Sequence, residues 1–282
     1  MALKIIIVGA SLIALFIVVV LIAASAFRSD IESEIVAMFE QGELPDRTVI
    51  TEADIESLPE PIQRHLRYAQ VVGKSRVQYI RLRQRGMFRT RPDQAWMPIE
   101  ADQYYTVDPP AFVWHARMQM IPLVSVVIRD KYLEGEGEIL GKLLSIVTVA
   151  HGTGREINQG ALLRFLNEIM WFPTAYLSDY LTWEEIDSSS ARVRMSYGGI
   201  SASAVLYIDK EGKLIDFVCD RYIMTDSGSN LEEWSTPISG YGEFEGLRLP
   251  TEGEGVWRLK SGDFSYFRLK IESIEYGRPE LF

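Results

Sequence analysis

Cysteine is almost missing from this chain of 282 residues. Cys219 stands alone, so an internal disulfide framework is excluded. Histidine is nearly as scarce: His65, His115 and His151 are too few and too scattered for a metal site without carboxylate help. Their spacing supplies no such help, and no metal is expected. GxSxG, HExxH, the P-loop and CxxC are all absent, and with them the local signatures of common hydrolase, metalloprotease, nucleotide and redox sites. No cofactor is expected. The chain has no N-x-[ST] sequon, no low-complexity run and no internal repeat. Basic charge is in the minority, with Lys+Arg 29 against Asp+Glu 39 and a net charge of -10. That balance repels nucleic acid and offers little to anionic lipid headgroups.

What the chain has in excess is one apolar run. Residues 5–27 read IIIVGASLIALFIVVVLIAASAF, without a charge, between Lys4 and Arg28. At ~1.5 Å per residue a helix of this length covers ~34 Å, enough to cross a ~30 Å hydrocarbon core with some tilt. Two readings compete. Ala24-Ser25-Ala26 has the A-x-A form that signal peptidase accepts, yet the apolar stretch exceeds the ~7–15 residues of a signal peptide core. An uncleaved anchor is therefore expected, with the membrane as partner through residues 5–27. Lys4 leads the run, while Arg28 is followed by Asp30, Glu32 and Glu34, so the body is expected outside the cytoplasm. The expected organisation is an anchor over 1–28, a helical stalk over 29–75 and a β-rich domain over 76–282.

After the anchor, Ile31, Ile35, Met38 and Phe39 follow helical spacing among Glu32, Glu34 and Glu40, up to Gly42 and Pro45. Thr51 with Asp54 predicts the cap of a short helix, and Pro61 the first turn of another. Ile62, His65 and Leu66 share one stripe of that second helix, which makes His65 a core histidine. From Arg76 the period becomes two. In 79–88, Ile80, Leu82 and Phe88 take one face, and Arg81, Arg83 and Arg85 the other. In 111–120, Phe112, Trp114, Met118 and Met120 share a face opposite His115, Arg117 and Gln119. IPLVSVVI (121–128) is apolar on both phases, as expected of a segment buried on both faces or at the lip of an apolar mouth. Asn158 can cap a helix running to Phe172 whose only polar strip is Arg164, Asn167 and Glu168, so the sheet is expected to curl around it. Short segments with Gly, Asp and Asn turns, among them TDSGSN (225–230), then return to strands. The fold class is mainly β (α+β): a curled antiparallel sheet or half-barrel of about ten strands enclosing an apolar helix.

Three groups of residues are candidates for function. Phe112, Trp114, Met118 and Met120, with Trp171, offer aromatic surface and adaptable methionine packing to a lipid or other apolar ligand; equally, these residues can fill an ordinary core. His151, with the i,i+4 pair Arg164 and Glu168, is the best catalytic constellation, a hydrolase alternative in which burial raises the carboxylate's pKa. Self-neutralised, that pair is simply structural. The Arg81, Arg83 and Arg85 row can grip phosphate or be a solvated face answered by Glu100 and Asp102. Cys219 shares the phase of Ile215 and Phe217, which predicts a buried, inert thiol.

The blocks LPEPIQRHLRYA (58–69), WMPIEADQYY (96–105), RDKYLEGEGE (129–138), LLRFLNEIMWFPTAYL (162–177) and the terminal stretch 249–276 come in order over nearly the whole body. In them the chain resembles an uncharacterised prokaryotic family, a domain of unknown function. The resemblance implies a membrane-anchored or secreted protein and carries over no functional residue. In layout, a curled sheet around helices is similar to periplasmic carriers of lipoproteins and lipids. The expected function is binding of an apolar ligand in a half-barrel cavity. The alternatives are an envelope-interaction or structural role, and the hydrolase of His151 and Glu168.

Overall fold

A computed structural model describes residues 1–44, 48–225 and 228–282. Pro45, expected to help stop the first helix, and Asp226 with Ser227 of the expected TDSGSN turn lie outside the described residues.

The apolar run and the amphipathic segment after it form one unbroken helix, α1 (Ala2–Gln41), which ends where Gly42 turns extended. It is long and apolar enough to cross a membrane, and no residue of its most apolar 18-residue window is buried. Beyond Ala26 its character changes. Phe27, Ile31, Ile35, Met38 and Phe39 recur at helical spacing and bury against Tyr79, Tyr104, Val113 and Val127 on the outer face of a sheet. Two short helices follow. α2 (Glu52–Ile55) opens on the expected capping box of Thr51 and Asp54. α3 (Glu60–Tyr68) has Pro61 in its first turn and buries Ile62, His65 and Leu66.

The sheet begins with a meander: β1 (Tyr79–Phe88), β2 (Met97–Thr106), β3 (Ala111–Ile121), β4 (Val124–Leu133), β5 (Glu136–Leu143) and β6 (Val147–Gly152). Helix α4 (Arg155–Glu168) and two 3-10 turns reaching Leu177 interrupt it. The second half holds β7 (Leu181–Asp187), β8 (Ser190–Tyr197), β9 (Ile200–Ile208), β10 (Leu214–Thr225), β11 (Gly228–Ser235), β12 (Ile238–Phe244), β13 (Leu247–Leu259) and β14 (Gly262–Tyr276). All pairings are antiparallel, and the order runs β6-β5-β4-β3-β2-β1-β14-β13-β11-β10-β9-β8-β7, with β12 beside β13. The two meanders therefore join at β1 and β14, leaving β6 and β7 as edges.

The described residues hold fourteen strands where about ten were expected. IPLVSVVI explains part of the difference. It is the turn of a hairpin: Leu123 takes φ 68, which splits the run between the end of β3 and the start of β4. Likewise, Glu134 and Gly135 at φ 53 and 85 turn the glycine-rich stretch into the β4–β5 hairpin.

The sheet curls around α4, as its near-continuous apolar surface predicts. Leu162, Phe165, Leu166 and the following Ile169 are at most 1% exposed. The start of α4 differs from expectation: it begins at Arg155 with Gly154 as cap. Asn158 is instead turned to the sheet, where its Oδ1 accepts the Gly137 N–H at 2.9 Å. Gly137 is needed there, because an added Cβ would stand 2.8 Å from the Ala161 Cβ and 2.9 Å from the Ile157 carbonyl oxygen. Cys219 is buried, and burial pushes its thiol up to about 12. Ile215 does not share its face as expected; the register shifts between Leu214 and Asp216, and Ile215 turns outward, 46% exposed.

Candidate functional site

Between α4 and the inner face of the curled sheet lies a cavity of about 700 Å³. Alternation puts Trp114, Met118 and Met120 of β3 on that inner face, and Val126 and Ile128 of β4 beside them. Ile139 and Leu143 of β5 extend the same wall. Gly160, Ala161 and Arg164 of α4 form the inner side, followed by Met170 and Trp171. Trp234, Trp257 and Phe267 close the far wall. Trp171 is fixed by its indole N–H, which donates to the Pro250 carbonyl at 3.1 Å. The lining is predominantly apolar, as in sites that take aliphatic or aromatic ligands.

One polar cluster interrupts it. Arg164 Nε donates to Glu168 Oε1 at 2.8 Å, and its Nη1 to Asp130 Oδ2 at 2.6 Å. The second oxygen of Glu168 accepts from Gln103 Nε2 at 2.8 Å and from the Tyr105 hydroxyl at 3.0 Å. The guanidinium carbon lies 4.7 Å from the Trp114 ring and 5.0 Å from the Phe112 ring, within cation–π reach. Burial pushes the Glu168 carboxyl above its usual range, against the pull of Arg164. Burial opposes the Arg164 charge too, but Glu168 and Asp130 outweigh it and raise its pKa. Every polar atom of the Glu168 carboxylate is thus committed to a neighbour. The cluster is built to hold strand β2, strand β4 and α4 in one arrangement.

The residues singled out in the sequence separate clearly. Trp114, Met118, Met120 and Trp171 line one cavity, while Phe112 is fully buried beneath it against Tyr105 and Tyr132. Arg164 and Glu168 pair as their spacing implies. His151 is not near them. It stands on edge strand β6, and its Nε2 lies 3.3 Å from Glu138 Oε1. Glu138 belongs to the outer face, where Arg129 and Lys131 also meet Glu34 of α1. His151 and Glu168 therefore occupy opposite faces of the sheet.

The arginine row also divides. Arg83 meets Asp102 at 3.2 Å as expected, whereas Arg85 takes Glu272 of β14 at 3.1 Å rather than Glu100. Arg81 is buried rather than solvated. It pairs with Glu275 at 2.8 Å, donates to the Leu281 carbonyl at 2.7 Å and lies 4.6 Å from the Phe282 ring. Sequence reading did not find Asp130 and Gln103 as partners of Arg164, or Gln103 and Tyr105 as partners of Glu168. The available signal was phase: Gln103 sits between Ala101 and Tyr105 on the inward set of β2, where an amide needs a buried partner.

No curated protein matches the chain. Among solved structures it is similar to a LolA superfamily protein from Nitrosomonas europaea, at 11% identity and a TM-score of 0.37, over 77% of this chain and 94% of that one. A family model covers residues 48–269, which includes every residue that lines the cavity. The chain belongs to the family of unknown function DUF6544.

Proposed function

We propose that the body holds an apolar molecule, a lipid by chemistry and by setting, in the cavity between α4 and the sheet. The carrying observation is the cavity itself: about 700 Å³ bounded by Trp114, Met118, Met120, Val126 and Trp171, within the usual size of ligand sites. Methionine walls re-pack around acyl chains of different length, and the tryptophans give them a rigid backing. α1 supports the setting. Its apolar run acts as a single-pass anchor, and the basic N-terminus with Lys4 stays inside, which leaves the body on the extracytoplasmic side. The most abundant apolar molecules within reach are then the bilayer's own lipids.

The test is native mass spectrometry of the full chain released from mild detergent, with lipid identified in the denatured fraction. A bound lipid that is depleted in the folded double variant Trp114→Ala, Met118→Ala supports the reading. A lipid-free mass, with no uptake of a fluorescent fatty acid, refutes it in favour of an envelope-interaction or structural role.

A further inference from the structure

The cavity opens at the end of the sheet from which α1 departs. The large apolar residues of the cavity lining that are also exposed are near hairpin ends: Met120 at 45%, Val149 at 53% and Met224 at 59%; Thr90, Ala150 and Glu156 complete the exposed part of the lining. Just beyond the first two, the β3–β4 and β5–β6 turns carry Ile121 at 61%, Leu123 at 95% and Val147 at 55% exposed. Apolar side chains at two adjacent turns are costly in water, and nothing in the fold of the described residues covers them. The neighbouring β1–β2 and β13–β14 turns, farther from α1, carry Arg91, Asp93 and Lys260 instead. The apolar lip is thus most pronounced on α1's side of the mouth, with Met224 alone of these residues on the other arm of the sheet.

The direction of α1 decides what the lip meets. Gln41 bonds Glu134 at the β4–β5 turn, Glu34 meets Arg129 and Lys131, and the Phe27 ring lies 4.3 Å from Lys142 Nζ. Traced backwards, the helix passes along β4 and β5 toward the β3–β4 and β5–β6 turns. Those turns lie about three residues, or ~10 Å, beyond Val127 and Lys142. That is ~7 helical residues upstream of Phe27. The coverage of α1 agrees: Val20, Ala23 and Ala24 are partly covered, and residues 11–19 are exposed throughout. Uncovered apolar helix from residue 5 to 19 spans only ~22 Å, short of a ~30 Å hydrocarbon core.

We propose that the missing length is supplied by the body: the β3–β4 and β5–β6 turns enter the near leaflet, and the cavity mouth opens into acyl chains rather than water. The occupant of the lip is the bilayer that α1 crosses, because lip and anchor form one continuous apolar surface. This rests on α1 as a span, and it deepens the ligand reading by naming the source and route of the lipid. The ligand passes between the acyl chains and the cavity through that mouth without crossing water.

Depth measurement on the full chain tests it. Leu123→Cys, Val147→Cys, Phe16→Cys and Lys260→Cys, each labelled with an environment-sensitive fluorophore, are reconstituted in phosphatidylethanolamine–phosphatidylglycerol vesicles. The vesicles carry bromine on their acyl chains, and Cys219 is buried away from the label. The expected result is acyl-chain quenching at 16, 123 and 147, with position 260 open to aqueous iodide. Iodide quenching at 123 and 147 with bromine quenching at 16 overturns the docked lip and leaves the anchor standing. Iodide quenching at all four positions overturns the proposal by removing the span. Neither result depends on whether lipid co-purifies in the cavity, so the ligand reading stands or falls separately.

Discussion

Gly135 and Gly198 touch backbone to backbone: a Cβ added at Gly135 would stand 2.8 Å from the Cα of Gly198, and one added at Gly198 would stand 2.6 Å from the Cα of Gly135. The two belong to the β4–β5 and β8–β9 turns, which are far apart in the strand order. Their contact is where the curl brings the two arms of the sheet together. Gly198→Ala is expected to cost on the order of 2–4 kcal/mol, from backbone displacement plus a non-glycine residue at φ 60. Gly199→Ala separates the two causes, since Gly199 has φ 75 and nothing within 4 Å of an added Cβ. It should cost only ~1–2 kcal/mol. Denaturant melts of both variants give the comparison, and equal losses would mean that the contact contributes nothing.

His65 makes stability depend on pH. It is fully buried, and its Nδ1 lies 2.8 Å from the Gly212 carbonyl, so the Nδ1–H donates there; Nε2 has no partner. Burial lowers its pKa from 6.5 to about 4. The unfolded chain therefore binds a proton that the folded one refuses. Stability from this group is complete above pH ~6.5 and is lost as pH falls toward 4, by on the order of 3 kcal/mol. Melting temperature followed from pH 7 to 4 should fall less steeply in His65→Phe than in the parent. Parallel slopes would assign the acid sensitivity elsewhere.

Removing Arg164 should be far worse than neutralising Glu168. Arg164→Met leaves Asp130 and Glu168 buried without their cation, which costs about 3–5 kcal/mol. Glu168→Gln keeps the shape and one acceptor oxygen for Arg164, the Tyr105 hydroxyl can turn to accept from the new amide, and burial already favours an uncharged group there. Its expected cost is ~1 kcal/mol or less. Chemical denaturation of the two variants checks the ranking, and a reversed order would mean that the network is not anchored on Arg164.

Leu166→Ala tests the packing of α4. The side chain is 1% exposed inside the curl, so truncation should cost ~2–5 kcal/mol. A near-neutral melt would place α4 outside the cooperative core.

The legible part of this chain was its periodicity. Alternation from 79 onward gave an antiparallel sheet, and the crowded apolar sequence around Leu162 and Phe165 required a sheet wrapped around a helix. Two strands were hidden for a physical reason. Turns at Leu123 and at Glu134–Gly135 rely on positive φ at residues that carry no strong turn signal or sit in a longer glycine run. The site was half legible. Inward phase joined Trp114, Met118 and Met120 at one wall, but it also included Phe112, which packs one layer deeper. His151 and Glu168 were linked only by being titratable and near α4 in sequence. No period could reveal that one faces α1 and the other the cavity.

The seam between β1 and β14 sets the order in which the molecule can be completed. Ile80 pairs with Tyr276 and Phe88 with Phe267, partners separated by about 180–200 residues. Until β14 is available, β1 is an open edge on the meander against which α1 packs, and the cavity lacks its far wall of Trp257 and Phe267. Long-range pairing of this kind is slow because chain closure must precede its reward. The cavity therefore needs both ends of the body: a chain that stops before β14 keeps the helix and the first meander but cannot enclose the space between them.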